Sequence, residues 1–356
     1  MTTQRRNMLL IALAIGAVLL AWGGYRLSNK AAPEAYDAIS PGAERFDPDH
    51  ERDAVRYSDL DKVAGPLPTT HRTYRVAALM KFFGNQYWQW IAEGMRARAR
   101  EVNVELDVQA AATESDAAGQ AQLMDVMVDK RYDAILVSPQ TDKNLVEPMK
   151  RARKAGILVL NVSDAVLEGA AHWVGPNQYE NGVHAAEHLT SRFPQGGKVA
   201  VIKGLADVYS VNERTRGFAD TLKGSPIIIA AMAYGNWDLQ QALEAASVIL
   251  RDHPDLLAFY CNNDIMALGV VEAVRNAGKK DRVLVIGTDG IGPAHDAIRS
   301  GDLTATVDSF PRGTGRAAID VALRLLEGQR VPRAVYSPQA LITRDNIATL
   351  IPTPAK

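Results

Sequence analysis

Cysteine and net charge are almost absent from this 356-residue chain. Its one cysteine, Cys261, can close no internal disulfide and build no cysteine-rich metal site. Cys261 ends the apolar run Leu256-Leu257-Ala258-Phe259-Tyr260 and reads as a small buried hydrophobe, not a nucleophile. Formal net charge is -1 with a pI near 6.7, so no basic excess points to nucleic acid. The basic clusters at 96–100 and 150–154 fall at helical spacing and read as solvated helix faces. Histidine offers little more. His184 and His188 stand i,i+4 beside Glu187, but no further ligand follows at useful spacing for a metal. No glycine-rich phosphate loop occurs, because Gly287-Thr288-Asp289-Gly290-Ile291-Gly292 lacks the lysine and the helix opening. No nucleophile pairs with a base and no cofactor motif is present, so an enzyme is not expected.

What the chain does have begins at its N-terminus. Arg5 and Arg6 precede an unbroken apolar stretch at residues 8–24, followed by Tyr25, Arg26 and Lys30. A basic head and an apolar run make either a cleaved signal peptide or a retained anchor. No cysteine follows as a lipoprotein would need, and Arg5-Arg6-Asn7-Met8-Leu9 resembles a twin-arginine signal. Both readings place the rest of the chain outside the cytoplasm, because the basic residues stay inside. Residues 31–71, rich in Pro, Asp, Glu and Arg, read as a tether.

From residue 75 a regular alternation sets in. Apolar runs at 75–80, 104–110, 133–137 and 157–162 alternate with amphipathic stretches at 87–102, 119–130 and 144–155. The pattern starts again with runs at 198–202, 227–232, 257–260 and 283–286, between helical stretches at 212–222, 239–251 and 264–277. A last helix at 314–326 stops before Gly328. Continuous apolar runs separated by amphipathic segments predict βαβ units around parallel sheets. The expected fold class is therefore α/β, with two doubly wound halves over about 270 residues.

Parallel sheets bind ligands beyond the carboxyl ends of their strands. Phe82, Phe83, Asn85 and Trp88 follow the first strand, an aromatic and amide cluster suited to the C–H faces and hydroxyls of a sugar. Their other reading is a staple between helix and core. Asp164 follows the fourth strand as a hydroxyl acceptor or a turn cap. Asn212 and Arg214 open a helix, Trp237 is a second stacking candidate, and Asn263, Asp289 and Ser309 follow later strands. Any one such position is explained by a turn; polar or aromatic groups at nearly every strand end are not.

Four motifs give the chain a resemblance to the periplasmic ribose- and galactose-type sugar-binding proteins, whose fold is shared by lactose-repressor-like ligand domains. They are Asn262-Asn263-Asp264-Ile265-Met266-Ala267-Leu268-Gly269, Val285-Ile286-Gly287-Thr288-Asp289-Gly290, Thr215-Arg216-Gly217-Phe218 and Ile342-Thr343-Arg344-Asp345-Asn346. The resemblance implies the type I fold: two Rossmann-like lobes with parallel sheets, hinged by three crossings, and a ligand cleft between them. It places one lobe at 72–176 plus 311–333 and the other at 177–310 plus 334–356. Hinges are then expected at Val174-Gly175-Pro176-Asn177 and Ser309-Phe310-Pro311.

By the same resemblance, Asn85, Phe82, Phe83, Asn212, Arg214, Trp237, Asn263 and Asp289 are binding positions. Ser163-Asp164 stands where ribose binders carry Asp-Arg, Asn212 where they carry Arg, and Ser309 where they carry Gln. These departures leave the ligand as a monosaccharide or polyol of unspecified kind. The implied partner is the membrane permease of an ABC importer. The alternative is a sensor kinase or chemoreceptor, with a small amine or N-oxide as the non-sugar ligand. A repressor would need a helix-turn-helix where the export segment stands, so nucleic acid is not an expected partner.

Overall fold

A computed structural model of the chain describes residues 46–70 and 72–352. Its strands begin with β1 (Val55–Arg56), β2 (Tyr74–Phe82), β3 (Val104–Ala111), β4 (Ala134–Val137), β5 (Leu158–Val162) and β6 (Trp173–Gly175). Helices Gln86–Glu101, Ala117–Asp129 and Val146–Lys154 connect β2 to β5, and helix Gln178–Arg192 leads onward. Next come β7 (Gly197–Lys203), β8 (Ile227–Tyr234), β9 (Leu256–Cys261), β10 (Leu284–Asp289) and β11 (Ala305–Asp308). Between them run helices Tyr209–Leu222, Leu239–Asp252, Asp264–Asn276 and Gly292–Ser300. Helix Pro311–Leu326, β12 (Ala334–Tyr336) and β13 (Ala340–Thr343) follow.

The strands form two sheets. One has the order β1-β12-β6-β5-β4-β2-β3 and is parallel throughout. The other has the order β13-β11-β10-β9-β7-β8, with β13 antiparallel to β11. Every residue of β4 is buried, as a central strand covered by helices on both faces requires. Cys261 is fully buried at the end of β9. The chain passes between the sheets after β6, after β11 and after β12.

Glycines set the helix spacing in each lobe. A Cβ on Gly182 would overlap the Arg214 carbonyl, and one on Gly217 would overlap that of Tyr179, so helices Gln178–Arg192 and Tyr209–Leu222 touch backbone to backbone. Gly182→Ala is expected to cost about 1–3 kcal/mol of stability through overpacking. Urea unfolding measures this, and an unchanged midpoint would contradict the close approach.

Two expectations about boundaries need correction. β12 pairs with β6, so residues 334–336 belong to the first sheet and the third crossing falls at Ser337-Pro338-Gln339. The stretch at 31–71 is no tether from residue 46 onward. β1 pairs with β12, Leu60 is buried, and Phe46 packs with Val166, Trp173, Tyr209 and Ala334. Its apolar residues enter the core singly, so no period announced them. Residues 31–45 and the apolar stretch at 8–24 lie outside the described residues. Among the described residues no helix is long and apolar enough to cross a membrane.

Candidate functional site

The carboxyl ends of both sheets converge on a narrow cleft lined by Asn85, Tyr87, Trp88, Glu114, Asp164, Arg214, Trp237, Asn263 and Asp289. The lobes meet around it. The Ser210 hydroxyl donates to Asp164 across the cleft, the Gly292 N–H donates to Gln86 Oε1 at 2.7 Å, and the Trp90 and His295 rings stack with centroids 6.3 Å apart.

The first lobe supplies amides and rings. Asn85 caps helix Gln86–Glu101, accepting from Tyr87 N at 3.0 Å, which leaves its amide nitrogen 3.4 Å from Glu114 Oε2. Trp88 Nε1 donates to Glu114 Oε1 at 2.8 Å, and the Tyr87 and Trp88 rings meet edge to face at 4.9 Å. The buried Lys81 ammonium pairs with Asp164.

The second lobe supplies the guanidinium. Arg214, 2% exposed, donates through Nε to Gln178 Oε1 at 2.8 Å, through Nη1 to the Asn262 carbonyl, and lies 3.4 Å from Asp289 Oδ1. Asn263 caps helix Asp264–Asn276, with its Oδ1 accepting from Met266 N at 2.9 Å. Trp237 lies against Gly204, where a Cβ would overlap its ring. Asp164 (φ 35°), Trp237 (φ 65°) and Asp289 (φ 122°) all take positive φ values. Such backbone strain gathers at functional sites.

The carboxyl groups differ in charge. Burial pushes Asp164 up, but Lys81, Arg214 and the Ser210 hydroxyl outweigh it and hold Asp164 below its usual range. Burial pushes Asp289 well up, and Arg214 at 3.4 Å only partly opposes this. Burial likewise raises Glu114. For Arg214 burial disfavours the charge, but Asp289 and Asp164 more than compensate. The cleft thus holds one carboxyl kept below its usual range beside Lys81, two pushed above it by burial, the Arg214 guanidinium, two amides and two indoles. This set matches an array of hydroxyls on a small ring, which donates to carboxylates and accepts from guanidinium and amide N–H groups.

Asn85, Trp88, Asp164, Arg214, Trp237, Asn263 and Asp289 all line this one cleft. Four sequence candidates stand elsewhere. Phe82 and Phe83 are half-buried beside the cavity without lining it, and the Phe82 ring covers Gly84. Asn212 is exposed on the outer face of helix Tyr209–Leu222. Ser309 is fully buried in the second crossing, where its N–H donates to the Asp289 carbonyl at 3.2 Å. Tyr87 and Glu114 also line the cleft, and Lys81 reaches it through Asp164; sequence reasoning singled out none of the three. Lys81 carried a usable signal, a lysine directly after the apolar run 76–80 and one residue short of the end of β2. Among the described residues, no three His, Cys, Asp or Glu side chains gather as a metal site.

A family model for the periplasmic binding protein domain matches residues 76–330. The chain belongs to this family. It is one of binding proteins and not of enzymes. The D-ribose/D-allose-binding protein of Pseudomonas aeruginosa is 32% identical over 282 residues, covering 76% of this chain and 88% of that one. The D-allose-binding periplasmic protein of Escherichia coli is 34% identical over 253 residues, covering 68% and 81%. Among solved structures, an ABC transporter periplasmic solute-binding protein of Actinobacillus succinogenes with bound D-allose superimposes with a TM-score of 0.72. It is 29% identical and covers 77% of this chain and 99% of that one.

Proposed function

We propose that this periplasmic binding protein closes on one monosaccharide or polyol outside the cytoplasm and delivers it to the permease of an ABC importer. The carrying observation is the interlobe cleft, which Asp164, Arg214, Asn263 and Asp289 line together with the rings of Trp88 and Trp237. Ligand that bridges both lobes favours the closed state by its contacts with each. D-allose and D-ribose are the first candidates, since relatives of 32% and 34% identity are named for them. Residues 8–24 would carry the chain out of the cytoplasm, as a cleaved signal or a retained anchor.

A second reading rests on the rings. Trp88 and Trp237 line the cleft beside Asp289, a pairing of aromatic faces and carboxyl that also suits a ligand carrying an amine. Thermal unfolding with a panel of D-allose, D-ribose, other monosaccharides, inositol and small amines separates the two. At a hundredfold excess over Kd, binding stabilises by about 2.7 kcal/mol, enough for a clear rise in Tm. The proposal expects that rise with a sugar or polyol. A rise with amines alone would replace the sugar reading by the second.

A further inference from the structure

Ahead of the family match at 76–330, residues 46–56 form a strap that touches both lobes. It is anchored on the first. β1 extends the sheet beside β12, Arg333 pairs with Glu51 at 3.1 Å and lies over the Phe46 ring at 4.2 Å, and the Tyr336 hydroxyl donates to the Pro48 carbonyl at 2.5 Å. From there it reaches the second lobe just past the first crossing. Asp49 Oδ1 accepts from Gln178 N at 3.2 Å and Oδ2 from Tyr179 N at 3.0 Å. Asn177 Oδ1 takes Glu180 N at 2.8 Å, so Asp49 completes the cap of helix Gln178–Arg192 from outside the helix. Burial pushes the Asp49 carboxyl up to about 8, and the N–H groups of Tyr179 and Gln178 partly oppose this.

Two routes lead from the strap to the cleft. The residue whose N–H Asp49 holds, Gln178, carries the side-chain oxygen that accepts from Arg214 Nε. The Asp49 N–H also donates to the Tyr209 hydroxyl at 3.2 Å, which itself donates to Asp47. Tyr209 begins the helix that carries Ser210, bonded to Asp164, and Arg214.

We infer that Asp49 is a positioning residue for ligand binding, fixing the first turn of helix Gln178–Arg192 so that Gln178 holds Arg214 in place. The strap thereby links the segment ahead of the lobes to the affinity of the cleft. This rests on the sugar reading for its ligand but not for its geometry.

The test is a double-mutant cycle in the full chain, read as D-allose affinity by calorimetry. Asp49→Ala and Gln178→Ala are each expected to weaken binding about tenfold, and the double variant no further than Gln178→Ala. Multiplying effects, or an Asp49→Ala protein with wild-type affinity, would overturn the inference. Asp49→Asn keeps one acceptor oxygen and carries the cycle if the alanine variant does not fold. Amide exchange without sugar is the second readout. Asp49→Ala should speed exchange at both 178–182 and 211–216. Faster exchange confined to 178–182 would overturn the transmission to Arg214. Should the wild type ignore D-allose, D-ribose, the other monosaccharides and inositol alike, the sugar reading fails and exchange alone decides this inference.

Discussion

Arg214→Ala is expected to lose measurable sugar binding and to lower the unfolding free energy by about 3–5 kcal/mol, the cost of breaking a buried charge pair from one side. The guanidinium is 2% exposed and serves Gln178, the Asn262 carbonyl and Asp289 together. Removing it leaves three buried acceptors without their shared donor, and none can reach water without reopening the cleft. Lysine cannot replace the fork, since one ammonium cannot reach groups on three elements, so Arg214→Lys should recover stability in part and binding hardly at all. Calorimetric titration and urea unfolding read the two losses separately. A variant that is destabilised but binds normally would make Arg214 a core residue and remove it from the site.

Trp237→Ala should weaken binding by about 2 kcal/mol, near thirtyfold, with a smaller effect on folding. The ring is 8% exposed, rests on Gly204, and holds a positive φ of 65° that a tryptophan adopts only where its surroundings dictate it. Its Nε1 is buried and has no hydrogen-bond partner among the described residues. Trp237→Phe keeps a stacking face and loses the N–H, so its loss should be smaller. Equal affinity in the alanine variant and the wild type would show that the ring only fills space.

Much of this was legible before the fold. Runs such as 134–137 and 257–260 are apolar throughout because both faces of a central parallel strand are covered, and length separates them from helices. The Asn263 and Asp289 motifs were found because each combines a strand end with a helix start. Within the first, the neighbouring Asp264 proves structural. It accepts from Gly290 N at 2.8 Å, Ile291 N at 3.0 Å and the Thr306 hydroxyl at 2.7 Å, and burial pushes it up to about 7. A single motif thus holds one cleft residue and one strut, a division that spacing cannot make.

The misses have physical causes too. Asn212 fell one step out of helical phase: Val211, Arg214, Gly217 and Phe218 face inward, and Asn212 therefore faces solvent. Glu114 joins the site through Asn85 and Trp88, 29 and 26 positions earlier, a link made by the sheet and not by any local pattern. The strap stayed hidden because its ties to 177–180, 209 and 333–336 are polar and distant in sequence, and its few apolar residues follow no period.

The central claim is that the cleft binds one small sugar, and isothermal titration of the purified protein with D-allose tests it most directly. A single site with Kd of about 10 μM or tighter, some −7 kcal/mol, is the predicted result. No heat up to millimolar concentrations of D-allose, D-ribose and the other monosaccharides would contradict it.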